Sequence, residues 1–514
     1  MLNMVLSVFF SMMSTGMMSY LAMNTQLGPW VAPVFVVVCM VLLMPLFNAA
    51  WFKKNVVIII AAGSVGGMVG LCLGLTFPSF YFLHRHLFDW MLLHPIFFAA
   101  IVSSFVLCAA AYAFLLAYVL RHFFLVHMDA MKLHQTHDRF PMSQLVHDVI
   151  FVEKQREARI FMVIGLGLSA AWSVIVMMGR FALAAYSLQV NMIPLLISIG
   201  FIAGRVIAPP MLLGLVTRVF VLDIVHWYVP STLSDQSFLI TFCSGMILVW
   251  FVRLVILFWV DKKELSRNQS YLARMDNKWW FAGWNLATAA LVFVLLTAWG
   301  TPLLVQLYVF GLLSWLAKYL VEIIAKIGVI EIDSYVWFIL LPVVYFAAPS
   351  SLSVLAIAVF STLCLGLVVD FLFSYKLAQL AKVPYQFVLR YQIIAAVCAS
   401  LAAGVLFVWY SSSWGIGSFA LMAPKARELD DIIQFGRYDY KILCAGFVYG
   451  VCMLALTKEL LIVVGAMLMA PAISSWLVLA GALAHLIKNR ERFYPVWFGV
   501  YAGHMLWMVL AAFK

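Results

Sequence analysis

The sequence predicts an all-α, polytopic membrane protein with about sixteen transmembrane segments in two sets of eight. Three observations predict it. Apolar residues make up 66% of the 514 and charged residues only 10%, and the mean hydropathy is +1.06. Apolar runs of about 20 residues, long enough to cross a bilayer, recur along the whole chain. Lys and Arg gather in short loops between those runs, as the positive-inside rule requires. The net charge of +11 is thereby explained by a lipid bilayer as partner, and no nucleic-acid partner is expected.

The first set of segments reads as roughly 3–23, 31–51, 56–82, 95–120, 159–187, 192–207, 209–228 and 237–260. The second reads as roughly 279–299, 303–326, 335–347, 352–374, 391–410, 441–457, 460–487 and 496–513. An N-terminal membrane half (1–260), a cytoplasmic linker (261–278) and a C-terminal membrane half (279–514) follow from this layout. The run 191–229 is too long for one crossing, and Arg205 with "APP" at 208–210 marks a break in it. The run 335–347 is short for a full span and fits a re-entrant element, tolerated only where protein or a cavity surrounds it. The first run lacks the basic region and cleavage site of a signal peptide, so it reads as a span.

Loops at 51–55, 121–159, 261–278 and 375–390 hold most of the Lys and Arg. Their common side is expected to be the cytoplasm, with both termini there, in a multi-pass cell membrane. The "KNRER" loop at 488–492 works against that bias. Loops 121–158 and 411–440 mix charge with apolar residues, unlike a disordered linker, so ordered or re-entrant structure is expected in both. Whether the chain is a monomer or a homo-oligomer stays open.

Ionisable groups inside the apolar runs are the candidate functional residues. A charge at the bilayer centre costs about 2.5–3.5 kcal/mol even on the lenient insertion scale, so it is paired or faces a protein-lined cavity. In "WLAKYLVEIIAKIGVIEIDS" (315–334), Lys318, Glu322 and Lys326 recur every four residues and share one helix face. One reading is a self-neutralising ladder with Lys326 snorkelling at the inner end. The other has Glu322 lining a solute path, neutralised by the lysines until a proton or substrate arrives. Arg218 and Asp223 are poor partners for each other on one helix, so each pairs across helices or faces water. Arg205, beside two prolines, is broken-helix chemistry, where transporters commonly place substrate contacts. Arg180, Arg253, Asp370 and His504 complete the set.

Other residue types carry less. The eight cysteines fall in apolar runs without paired spacing and read as small buried hydrophobes, giving neither a disulfide frame nor a zinc site. His127, His134, His137 and His147 share one loop but match no metal-ligand spacing. Met12, Met13, Met17 and Met18 read as lipid-facing or packing residues rather than soft metal ligands. No nucleotide, zinc-protease or nucleophile-elbow motif stands in a plausible setting. No metal, no cofactor and no enzymatic activity are expected.

Six short blocks occur in a telling order. They are "KKNVVIIIAAGSVGGMVGLCLGLTFPSFYF" (53–82), "RFPMSQLVHDVI" (139–150) with the "ARIFMVIGLGLSAAW" that follows, "LLISIGFIAGRVIAPPMLLGLV" (195–216), "VVDFLFSYKLAQLAKVP" (368–384), "FALMAPKA" (419–426) and "VGAMLMAPAISSWLVLAGALAHLI" (464–487). Together they resemble the oligopeptide transporter superfamily, which includes the yellow-stripe metal-chelate transporters. The matching positions include Asn55, Gly63, Gly67, Thr76, Pro78, Phe201 in a Tyr place, Asp370, Lys376 and Pro384. Three positions depart from the pattern. Val329, between Gly328 and Ile330, stands where the family has an acid; Ser374 replaces a second acid; and His504 in "YAGHML" stands where the family commonly has Glu. Glu331 and Asp333 lie a few positions after the lost acid and are candidates to replace it. His504 either substitutes as a group that changes charge near neutral pH or is a buried neutral histidine.

The resemblance implies a secondary active transporter working by alternating access. Its small-molecule substrates would be short peptides or metal chelates such as siderophore-like iron complexes, with protons as coupling ion. Arg205, Arg218 and Lys318 suit an anionic substrate group. Polar residues would surround a watery cleft between the two halves. The alternative is a channel or secretion-assembly component without gradient coupling.

Overall fold

The structure, a computed structural model, describes residues 2–24, 32–44, 46, 49–121, 143, 146–147, 150–151, 155–179, 193–204, 208–228, 235–260, 278–327, 336, 339–340, 342–347, 349–418, 421–435, 439–457, 459–487 and 490–512. Among these there is no β-strand. The amino-terminal helices are α1 (Leu2–Asn24), α2 (Ala32–Val38, continued by a π-helical turn to Leu43), α3 (Ala49–Thr76), α4 (Ser79–Leu83), α5 (Arg85–Leu92) and α6 (Pro95–Arg121). Next come α7 (Gln155–Gly179), α8 (Ile193–Ala203), α9 (Ala208–Val216), α10 (Leu222–Tyr228) and α11 (Asp235–Val260). Then follow α12 (Lys278–Ala298), α13 (Leu303–Ile327), α14 (Ser351–Leu380), α15 (Tyr385–Trp414) and α16 (Pro424–Phe435). The last are α17 (Tyr440–Leu456), α18 (Leu460–Leu468), α19 (Pro471–Leu486) and α20 (Tyr494–Ala512). Seven helical stretches are long and apolar enough to cross a membrane, and shorter apolar helices accompany them. The molecule is thus a helical membrane protein.

Helix α3 and helix α14 form the axis. The apolar window of α3 is wholly buried and that of α14 almost wholly so. Both are apolar on every side, the pattern of a helix surrounded by other helices. Helix α1 lies against α3 through Gly66, Gly70 and Gly74, four residues apart on one α3 face. A Cβ at Gly66 or Gly70 would overlap the carbonyl oxygen of Ser11 or Thr15, and at Gly74 it would lie 2.7 Å from that of Ser19. Small residues are what let backbones approach within a membrane, where apolar burial itself gives no preference for helix over lipid. Contacts rise in step along both chains, so α1 and α3 run parallel.

The same reading orients the neighbours. Gly366 faces Met68 and Cys72 while Asp370 faces Ser64, so α14 runs antiparallel to α3. Ser11 Oγ donates to the Ala395 carbonyl, and Tyr410 OH to that of Gly16, so α15 runs parallel to α1. The Arg121 guanidinium at the end of α6 lies 4.1 Å from the centre of the Tyr385 ring at the start of α15. One end of this bundle therefore collects the start of α3, the end of α6 and the α14–α15 turn at Lys382. The other collects α4, α5, the start of α14 and α16. Helices from the two sequence halves interleave: α7 packs on α20, α8 on α19, and α11 on α17, each through glycines.

Three local features refine the sequence reading. Run 191–229 breaks where expected: α8 ends at Gly204, whose φ of +52° an L side chain rarely adopts, and α9 begins with two prolines in its first turn. Run 460–487, read as one segment, is two helices. Ala470 precedes Pro471, and the residue before a proline is pushed out of the helical region, so Met469 and Ala470 are extended. Loop 411–440 is ordered over its described part and contains α16. The cysteine expectation needs correction. Cys444 and Cys452 are exposed and Cys398 partly so, because α17 buries the opposite face, Ile442, Gly446, Gly450 and Met453.

Candidate functional site

The candidate site is the polar break in the α3–α14 seam. Along α14, Thr362, Gly366, Asp370 and Ser374 fall four apart and share one face. Along α3, Thr76, Cys72, Met68 and Ser64 do the same in the opposite direction. At Gly366 the two helices nearly touch, since a Cβ there would lie 2.5 Å from Cys72 Sγ and 3.1 Å from Met68 Sδ. One helical turn further, Asp370 is fully buried at 0% exposure. Ser64 Oγ donates a short hydrogen bond to its Oδ1. Its Oδ2 has no hydrogen-bond partner among the described residues, and none of the described ion pairs includes it.

That arrangement defines the chemistry open to the carboxyl. An ionised carboxylate in the centre of an apolar bundle needs a cation or several donors. Among the described residues Asp370 has one neutral donor, which suits a carboxylic acid carrying a proton on Oδ2. Ser374 Oγ and Tyr375 OH, also buried, lack described partners. Ser143 Oγ reaches the Phe373 carbonyl at 3.3 Å. The seam is thus a thin polar track in an otherwise apolar axis.

The α16 end of the track opens into a small cavity of about 30 Å³, lined by Thr76, Thr362, Lys425, Glu428 and apolar neighbours. Lys425 and Glu428 pair at 3.3 Å on α16. That helix is pinned from outside the seam: Ser79 Oγ donates to the Ala426 carbonyl and Ala423 N–H to that of Met23. Nearby, His84 Nε2 lies 2.7 Å from Ser351 Oγ at the start of α14. Burial lowers the His84 pKa below its ordinary 6.5, partly opposed by the negative charge of Asp430.

The other sequence candidates are dispersed. Arg205, Glu331 and Asp333 lie outside the described residues, as does the side chain of Glu322, whose backbone belongs to α13. Lys318 is half-buried on α13, and Asp223 is exposed on α10. Arg218 sits in a π-helical turn between α9 and α10, donating from Nη1 to the Met467 carbonyl at 2.6 Å and to that of Met469. It therefore holds the carbonyl end of α18 at its break, where a cation is favoured. His504 is fully buried on α20, next to Gly503, which packs on Ser169 of α7. Among the described residues no three His, Cys, Asp or Glu side chains converge as a metal site.

Sequence reasoning singled out Asp370 but missed its donor Ser64 and the cavity-lining Thr362, Lys425 and Glu428. A signal for Ser64 was present: it lies inside the glycine-rich block 53–82, where close helix contact was to be expected. No protein-family model matches the chain, and no curated protein matches it.

Proposed function

We propose that this protein is a secondary active transporter of the oligopeptide-transporter type, with Asp370 as its proton-binding group. It would cross the membrane about sixteen times in two sets of eight, with cytoplasmic termini, and carry short peptides or metal chelates by alternating access. The observation that carries the reading is the Asp370 carboxyl, held by Ser64 and without an ionic partner among the described residues, within the most deeply buried helix pair. A stably folded structure gains nothing from such a group, since an apolar residue of like size would pack there at less cost. A group that must take up and release a proton gains a great deal, because neutralisation lets the helix pair close around it. The tight packing at Gly366 fits the occluded form of such a cycle.

Proteoliposome uptake tests the reading. A labelled ferric hydroxamate chelate and a labelled dipeptide are offered with and without an inward pH gradient. Saturable uptake that accumulates only with the gradient supports the carrier. Uptake that never saturates and ignores the gradient supports the channel.

A further inference from the structure

We propose that the cavity beneath α16 is the entrance through which protons reach Asp370, and that Met68 and Cys72, seated against Gly366, form the barrier between them. The inference rests on the transporter reading and adds the route and the gate. Three observations carry it.

The cavity is large enough and polar enough for water. Its volume of about 30 Å³ exceeds the roughly 10–15 Å³ that one water occupies on the same measure. Thr76 Oγ1 and Thr362 Oγ1 each donate to a carbonyl of their own helix, at 2.9 Å, and keep lone pairs to accept from water. Next, cavity and carboxyl lie on one track. Thr362 and Asp370 are eight residues apart on one helix face, about 12 Å of rise. Finally, the barrier is one layer deep. Between the two lie Gly366, with no side chain, and the sulfur atoms of Met68 and Cys72 packed on it. A thioether on a flexible chain is easily displaced, so small separation of α3 and α14 would let water through.

The step itself is a single proton transfer. With the barrier open, a hydronium ion arriving through the cavity gives its proton to Oδ2 of the Asp370 carboxylate and leaves a neutral water, while Ser64 continues to donate to Oδ1. No electron transfer is involved, and the proton leaves toward the opposite end in the other half of the cycle. Among the described residues, Ser64 from α3 bonds the carboxyl and Ser374 lies one turn further along the same α14 face; Lys425 and Glu428 from α16 are the charged groups at the entrance.

Proton flux without substrate tests the gate. Purified protein is reconstituted into liposomes enclosing a pH-sensitive dye, and a potassium diffusion potential is imposed with valinomycin. The variant Met68→Ala/Cys72→Ala is expected to raise proton flux at least fivefold over wild type. Adding Asp370→Asn is expected to return it to the wild-type level. Single Met68→Ala, a milder change, serves where the double variant does not elute as one monodisperse species. Wild-type flux through a folded barrier variant overturns the inference, as does raised flux that persists with Asp370→Asn. Filling the cavity with Thr362→Ile in the leaking variant is expected to cut the flux at least threefold; no change would place the entrance elsewhere and overturn the route. The transporter reading fails separately, where Asp370→Asn leaves gradient-driven chelate and dipeptide accumulation intact.

Discussion

Ser64 and Asp370 are the polar pair on which the proposed function rests. One hydroxyl orients one carboxyl, and every other neighbour on the shared face is small or soft. Losing the donor leaves a buried acceptor unsatisfied, at a cost of about 1–3 kcal/mol. Ser64→Ala is therefore expected to lower the unfolding temperature of the detergent-purified protein, and Ser64→Thr to restore most of the loss. Asp370 was legible in the sequence because an acid within an apolar run is costly and rare. Its partner stood out less, because a serine in such a run is ordinary and several of the described ones bond their own helix, as Ser198 and Ser400 do. His84, outside the spans, gives a pH signature. Its pKa is lowered on folding, so the unfolded chain binds a proton first. The stability it contributes is present above about pH 6.5 and is lost as pH falls below that value toward the folded pKa. Wild type should lose more stability across that window than His84→Gln, as read by thermal unfolding at each pH.

Helices in this chain are set by spacing as much as by hydropathy. Gly66, Gly70 and Gly74 dock α1 on α3 with no room for a side chain. Gly70→Leu forces those backbones apart and is expected to cost about 1–3 kcal/mol or more, visible as a lower unfolding temperature. Gly167 has open space where its Cβ would stand, and Gly167→Ala should change little. The break at 204–210 was legible because run 191–229 is too long for one crossing and holds Arg205 beside two prolines. The break at 469–470 was missed because the apolar run continues unbroken across it, and only Pro471 betrays it. Amphipathic α16 was anticipated only as ordered loop, since its short charged pattern resembles a surface connection until α3 and α14 are seen beneath it.

On the scale of the whole molecule, basic residues sort by bundle end. Lys53, Lys54, Arg121, Lys376, Lys382 and Arg390 belong to the end at the α14–α15 turn, whereas Arg85, Lys425 and Arg427 share the other end with Asp89, Glu428 and Asp430. Composition announced the helical membrane class, and of the basic loops the charges grouped, the bundle brings together the described parts at 51–55, 121 and 375–390, while 261–277 lie outside the described residues. The interleaving of the two sequence halves was not legible, because it depends on which glycines meet, and one sequence does not say. By the positive-inside rule we propose that the Lys382 end faces the cytoplasm. A membrane-impermeant thiol reagent applied to intact cells should then label Arg85→Cys and spare Lys382→Cys, both in a variant lacking Cys444 and Cys452.

The central claim, that Asp370 takes up the driving proton, meets its most direct test in Asp370→Asn. The amide keeps the shape of the side chain and accepts from Ser64, but it cannot bind a proton at working pH. In proteoliposomes the variant should still exchange labelled chelate or dipeptide down a concentration gradient, while losing all accumulation driven by an imposed pH gradient. Accumulation equal to that of wild type would contradict the account.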